Sequence, residues 1–284
     1  MSDLFLRDGF AGELPRPVDA GGLWQWGADV AARAAPEDVY RNKEGRKTLR
    51  FENEGSPYFL KLHSGVGWRE IFKNLLQLRM PVISARNEFT AVTVLQRAGV
   101  DTLSVAAFAT DGVNPAAIRS LIVTDDLVGT VSLEDYCADW GRQPPPFPLR
   151  LLLTGVVADR ARRMHGAGVN HRDFYLCHFH LDPATLARDR VRCYLIDLHR
   201  AQCRRRTPRR WLVKDLAGLY FSAMDCGLTR RDLLRFIRLY SENGLRHALS
   251  REAGLWREVG QRAARLYQSE HGRSAPLPAG FDPS

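Results

Sequence analysis

Asn170-His171-Arg172-Asp173-Phe174-Tyr175-Leu176-Cys177-His178-Phe179 sets an arginine, a carboxylate and two histidines among apolar residues. The triplet His171-Arg172-Asp173 occurs by chance in many proteins, so its weight rests on what flanks it. Upstream, Leu149, Leu152, Leu153, Val156, Val157 and Arg160 fall at helical spacing as far as His165. Gly166 and Gly168 then stop that helix just before the triplet. A buried helix ending in a glycine turn gives a loop a rigid base, which catalysis by positioning requires. Downstream, Phe179-His180-Leu181 reads as a short strand and Asp182 to Arg190 as a long turn. Val191-Arg192-Cys193-Tyr194-Leu195-Ile196 reads as a second strand, ending at Asp197.

A chain of 284 residues, 45% of them hydrophobic, can bury a full core and suits one large domain or two lobes. Its net charge of +9 favours anionic partners: nucleotide, nucleic acid, phosphorylated glycan or a membrane surface. No nucleic-acid recognition motif is present, so nucleic acid is not an expected partner. The five cysteines form no CxxC pair and are odd in number, which argues against a disulfide scaffold and fits a reducing compartment. Cys177, His178, His180 and Cys193 are of zinc's preferred ligand types, but their spacing fits no familiar zinc finger. The start of the sequence lacks a charged segment followed by a long apolar one, and no apolar run reaches the roughly 18 residues of a membrane span. The expectation is a cytoplasmic protein whose membrane contact, if it has one, is peripheral.

Residues 1 to 35, rich in Gly and Pro, read as an irregular lead-in with Trp24 and Trp26 as packing anchors. Tyr40 to Phe51 and Tyr58 to Leu62 then form a hairpin about the turn Glu52-Asn53-Glu54-Gly55. Lys61 lies between apolar residues on a strand expected to be central, where an ammonium group is expensive unless an anion meets it. A carboxylate for it stands on the next long helix, where Glu88 precedes Phe89, Val92, Leu95 and Gln96 at helical spacing. Between them, Trp68, Ile71, Phe72, Leu75 and Leu76 make one face of an amphipathic helix ending before Pro81, while Arg69, Lys73 and Gln77 fall elsewhere. That face either covers a core or meets a lipid surface. Val105 to Phe108 and Ile118 to Val123 read as two more strands, the second leading into Thr124-Asp125-Asp126-Leu127-Val128-Gly129. Ser132 with Asp135 reads as a helix-starting cap, and Pro144-Pro145-Pro146-Phe147-Pro148 as a stiff connector.

Set in order, Lys61, Glu88, His171-Arg172-Asp173, Asp197 and Asp215 follow the protein-kinase arrangement. In the kinase loop H-R-D-x-x-x-x-N the Asp takes the acceptor proton and the Asn holds a metal ion on ATP. Here the fifth position after Asp173 is His178, and the usual Asp-Phe-Gly is Asp197-Leu198-His199. On this reading Asp173 with Arg172 is catalytic, Thr124 to Gly129 is a hinge where strand gives way to helix, and Lys61, Glu88 and Asp126 of that hinge serve ATP. Gly45 is the only glycine between Val39 and Asn53, so the side chains of Arg46 and Lys47 take over phosphate cradling. Asp197 and His178 are the metal candidates. A neutral imidazole suits magnesium less well than an oxygen, so His178 either holds a metal or makes a hydrogen bond. His171 and Asp215 support the loop, and Arg204-Arg205-Arg206 offers bidentate contacts to an anionic acceptor.

The match is closer than fold. Leu195-Ile196-Asp197-Leu198-His199-Arg200-Ala201-Gln202, the run Gly168 to Asp173 with Cys177-His178-Phe179, Arg210-Trp211 with Lys214-Asp215-Leu216-Ala217, Gly45-Arg46-Lys47-Thr48 and Tyr58-Phe59-Leu60-Lys61 resemble the lipopolysaccharide core heptose(I) kinase family of Gram-negative bacteria. The likeness covers roughly residues 38 to 270.

It implies transfer of the ATP γ-phosphate to a heptose hydroxyl of the inner core, with magnesium or another divalent cation, at the cytoplasmic face of the inner membrane. It also leaves room for an acidic protein partner. The fold expected is α+β and two-lobed: a small, mainly β lobe at residues 1–127 that binds nucleotide phosphate, and a larger helical lobe at 128–284 with the catalytic loop and acceptor segment. Other acceptors, a protein tyrosine or a small-molecule hydroxyl, and a kinase-like scaffold without activity remain open at this point.

Overall fold

Along Ser56–Ser64 the buried residues Tyr58, Leu60 and Leu62 alternate with Phe59, Lys61 and His63, so two different faces are built from one strand. The computed structural model describes residues 2–11, 14, 18–43, 45–76, 83–188 and 190–278. The chain forms two compact units, Met1–Val92 with Leu103–Val128 and Thr93–Thr102 with Gly129–Ser284.

The first unit carries β1 (Asp3–Leu6), α1 (Asp8–Ala11), α2 (Ala20–Arg33), β2 (Val39–Lys43), β3 (Arg46–Asn53) and β4 (Ser56–Ser64). It continues with α3 (Gly67–Leu76), the start of α4 (Arg86–Arg97), β5 (Val105–Asp111) and β6 (Arg119–Asp125). Its strands form one antiparallel sheet in the order β1-β5-β6-β4-β3-β2, so β4 is internal. Helix α2 lies against the Leu60 and Leu62 face: a Cβ added at Gly27 would stand 2.7 Å from Leu121, which pairs with Leu62. Helix α4 lies on the opposite face. Its Phe89 stacks on Phe108 at 4.2 Å with planes 4° apart. Phe108 pairs with Ile122, and Ile122 with Lys61, so α4 covers the side of the sheet that bears Lys61.

Among its described residues, the lead-in expected to be irregular carries a strand and two helices, β1, α1 and α2. Asp19 caps α2, its carboxylate accepting from the backbone N–H of Gly22 at 2.6 Å. Gly27 is a point of close approach to the sheet, where an added Cβ would meet Leu121, Leu62 and Leu60. Trp24 and Trp26 do anchor it: Trp26 meets Phe10 and Phe51 edge-on, and Trp24 donates to the His63 carbonyl at 3.0 Å. In α3, Ile71 is buried while Trp68, Phe72 and Leu76 are exposed. The side chain of Leu75, and Gln77 and Pro81, lie outside the described residues.

The second unit contains β7 (Val131–Ser132), α5 (Leu133–Tyr136), α6 (Phe147–Gly166), β8 (Val169–Asn170), β9 (Phe179–Leu181), β10 (Cys193–Leu195) and β11 (Gln202–Cys203). Four helices follow: α7 (Arg209–Ala223), α8 (Arg230–Tyr240), α9 (Gly244–Ser250) and α10 (Ala253–His271). The mainly β first unit and mainly helical second unit make this an α+β chain. Ser132 caps α5, accepting from the Asp135 N–H at 3.0 Å. The proline connector is shorter than the composition suggests, because α6 starts at Phe147 and takes Pro148 into its first turn, where a missing N–H costs nothing.

Strands β9 and β10 pair with each other, and β8 pairs with β11, which sets the segments after β8 and β10 side by side. Gly168 has φ +77°, and a Cβ there would stand 1.8 Å from the Arg204 carbonyl, so only glycine fits. Helices α7 and α10 share a core of Val213, Leu216, Ala217, Leu255, Val259, Ala263 and Tyr267. Beside it an apolar cavity of about 300 Å³ is lined by Leu153, Leu216, Leu219, Phe236, Trp256 and others. Among the described residues, no helix is long and apolar enough to cross a membrane.

Candidate active site

Asp215 projects from α7 with its side chain fully buried. Its carboxylate accepts from the backbone N–H of His171 at 2.7 Å and of Arg172 at 2.9 Å, and lies 3.4 Å from Nε2 of His165. A buried carboxylate with two backbone donors is both satisfied and rigid, so it fixes the path of the loop. The loop needs that support, because Arg172 adopts φ +78°. The ammonium of Lys214 donates to the Arg172 carbonyl and ties the same turn from the other side. The Arg172 guanidinium packs over the Trp211 ring at 5.4 Å, and burial pushes it below its ordinary range. The imidazole of His171 donates from Nε2 to the Ile196 carbonyl at 2.9 Å, joining the loop to the segment before Asp197. Full burial lowers its pKa and keeps it neutral.

Asp173 follows this anchored turn. Nη1 of Arg200 stands 2.9 Å from both of its carboxylate oxygens. Arg200 lies three residues beyond Asp197 and was not singled out by motif, since nothing local in Asp197-Leu198-His199-Arg200 shows that its side chain reaches back 27 residues. Lys214 was missed for the same reason, since its ammonium reaches back 42 residues to the Arg172 carbonyl, whereas the contact of His199 with Asp197 is local.

Asp197 sits in the left-handed region at φ 59° and ψ 51°, a strained setting for a residue other than glycine. Its Oδ1 is 2.5 Å from Nδ1 of His199, and its Oδ2 is 3.5 Å from Nε2 of His178. Nδ1 of His178 meets the Asp173 carbonyl at 2.7 Å. A carbonyl only accepts, so Nδ1 carries the hydrogen, and a ring with no second hydrogen would present the Nε2 lone pair to Asp197. In that form the carboxylate oxygen and the imidazole nitrogen are both of ligand type, and the donor set fits a divalent metal. Among the described residues no three His, Cys, Asp or Glu side chains are grouped to hold a metal on their own, which also leaves the zinc reading without support. A cation at Asp197 and His178 would complete its shell with water and nucleotide phosphate, as magnesium does in phosphotransferases.

In the first unit, Nζ of Lys61 meets Oε1 of Glu88 at 2.6 Å, with Glu88 only 1% exposed. The pairing follows from the fold: Lys61 and α4 share one face of the sheet. Arg46 lies on that face too, because β3 pairs Arg46 with His63 and Thr48 with Lys61. Lys47 lies on the other face, where its ammonium donates to the Ala31 carbonyl in the last turn of α2. A cation suits that helix end, and the fold does not bring Lys47 to Lys61. Asp126 is engaged by Nε of Arg50 at 2.8 Å.

The arginine run divides as well. Arg204 donates to Asn170 and to Gln202, both at 2.6 Å, and packs over Trp211 at 5.9 Å, which makes it part of the loop's frame. Arg205 and Arg206 are exposed.

The model of the lipopolysaccharide kinase (Kdo/WaaP) family matches residues 30–240. The chain is 50% identical over 240 residues to the lipopolysaccharide core heptose(I) kinase WaaP of Pseudomonas aeruginosa, covering 84% of this chain and 89% of that protein. It is 47% identical over 257 residues to the enzyme of the same name from Escherichia coli K12, covering 89% of this chain and 96% of that protein. A solved structure described as WaaP in complex with acyl carrier protein is similar with a TM-score of 0.76 at 42% identity, over 93% of this chain and 99% of that one.

Proposed function

The chain belongs to the lipopolysaccharide kinase (Kdo/WaaP) family, and from that premise we propose that it moves the γ-phosphoryl group of ATP to a hydroxyl of heptose I in the lipopolysaccharide inner core. The observation that carries the reading is Asp173, half-buried, on a turn tied down by Asp215 and next to the Asp197 and His178 pair. In the reaction the acceptor oxygen bonds to the γ-phosphorus as its proton passes to the Asp173 carboxylate. The bond from phosphorus to the β-γ bridging oxygen breaks, and its electron pair leaves with ADP. Phosphoryl transfer asks the protein chiefly to align these atoms and offset the charge on oxygen.

Lys61, oriented by Glu88, is the ATP phosphate contact in the first unit, and Arg46 on the same sheet face supports it. Asp197 and His178 would hold a divalent cation, which when bound offsets phosphate charge. Arg205 and Arg206, exposed and next in sequence to the Arg204 that frames the loop, suit the phosphate and carboxylate groups of an inner-core acceptor.

The acceptor is an amphiphile, and α3 has a surface to match. Trp68, Phe72 and Leu76 are 51%, 58% and 86% exposed at successive helical turns, with exposed Arg69 and Lys73 beside them. We read this face as peripheral contact with the cytoplasmic leaflet of the inner membrane. An acidic carrier protein is a second proposed partner. The net charge of +9 favours it, and the apolar cavity of about 300 Å³ has the chemistry to take an acyl chain.

Labelled ATP, magnesium and lipopolysaccharide from a strain lacking core phosphate test the reading directly. Label on heptose supports it. Label in peptide favours a protein acceptor instead, and no transfer at all favours a scaffold.

A further inference from the structure

We propose that Arg200 is the catalytic cation of the transfer, donating to the moving phosphoryl group from the side of the base; this rests on reading the chain as a phosphotransferase. Among the described residues, Arg172, Lys214 and Arg200 are each within electrostatic reach of Asp173. Arg172 packs over Trp211, and Lys214 is committed to the Arg172 carbonyl. Among the described residues, Arg200 is the one found bonded to the carboxylate. The hydroxyl that yields its proton to Asp173 gains its bond to phosphorus in the same event. A cation in contact with the base therefore lies next to the oxygen where charge is changing.

The contact is also economical. Both hydrogen bonds come from the single nitrogen Nη1, although a guanidinium has five N–H donors. Nη2 and Nε have no hydrogen bond within the described residues, and the side chain is 34% exposed, so substrate can reach those donors. A one-nitrogen grip is weaker than the two-nitrogen fork that arginine forms with a carboxylate in its strongest pairs. One carboxylate oxygen can be released to take the proton while the guanidinium stays in place. Arg200 lies within a turn closed by the Leu198 carbonyl, which accepts from the Ala201 N–H at 2.9 Å, and Leu198 itself is buried. Asp197 and Arg200 thus stand on one short turn, placing the metal candidate and the cation in fixed relation.

Steady-state kinetics of Arg200→Ala, Arg200→Gln and Arg200→Lys, with melting temperatures, test this. Loss of one preorganised donor should lower kcat about 10²- to 10³-fold while the KM for ATP moves less than about threefold. Melting temperatures should stay near wild type, and added methylguanidinium should restore part of the Arg200→Ala rate in a saturable way. A merely structural arginine would give no such rescue. Wild-type turnover in Arg200→Ala, or a loss that tracks unfolding and resists rescue, overturns the proposal while leaving the heptose kinase reading intact. A wild-type protein that transfers nothing overturns both.

Discussion

The imidazole of His178 donates from Nδ1 to the backbone carbonyl of Asp173 at 2.7 Å, which turns its Nε2 toward Oδ2 of Asp197. One hydrogen bond thus couples the base's own backbone to the metal candidate. Nitrogen ligands favour manganese over magnesium. With ATP present, the wild type should bind Mn²⁺ several-fold more tightly than His178→Asn, with Mg²⁺ affinity nearly equal, on the order expected for exchange of one ligand. Electron paramagnetic resonance of Mn²⁺ reads this, and identical Mn²⁺ affinities would assign His178 to hydrogen bonding alone.

Glu88→Gln keeps the shape of the pair but removes the charge that faces Lys61 at 2.6 Å. Glu88 is 1% exposed and Lys61 is 21% exposed, so removing the charge of this partly buried carboxylate should cost about 1–2 kcal/mol of stability. The KM for ATP should rise about tenfold with that for lipopolysaccharide unchanged, because the damage lies on the nucleotide side. Urea titration and kinetics check both. A defect confined to the acceptor would contradict the role.

His171 predicts an acid-side weakness. Burial holds its folded pKa below the ordinary value near 6.5, so in the window beneath that value the unfolded chain binds a proton that the folded chain does not. Stability therefore rises with pH through this window and falls as pH drops below about 6.5, by at most about 1.4 kcal/mol per pH unit from this group. Urea unfolding at pH 7.5 and 5.5 should show a smaller difference for His171→Asn than for wild type. Equal differences would remove His171 as the cause.

The exposed face of α3 predicts binding to vesicles that contain anionic lipid. Phe72→Glu with Leu76→Glu should abolish co-sedimentation while the circular dichroism spectrum stays unchanged, since both side chains are more than half exposed. Equal sedimentation of the two proteins would rule the membrane reading out.

Chemistry-bearing positions were easier to read than packing. Lys61 and Asp197 stand out as charges on or at the end of apolar strands, and Glu88, Asp173 and Asp215 by their order relative to them. The register of β3 was not readable, and register decides which face a side chain takes: the pairing of Thr48 with Lys61 sends Lys47 to the α2 side. Helix α2 was missed because Gly21, Gly22 and Gly27 look like breakers, whereas Gly27 is small so that the sheet can approach. Arg200 was invisible for a third reason. Its role exists only when the segments after β8 and β10 meet, which is a property of the fold.

Rapid-quench transfer from labelled ATP to lipopolysaccharide lacking core phosphate, comparing wild type with Asp173→Asn, is the most direct test of the base. The amide is the same size and can still accept from Arg200, yet it cannot take a proton from the acceptor. The account predicts a rate lower by about 10³-fold with ATP affinity within about threefold of wild type. An Asp173→Asn enzyme that keeps more than about a tenth of the wild-type rate would contradict it.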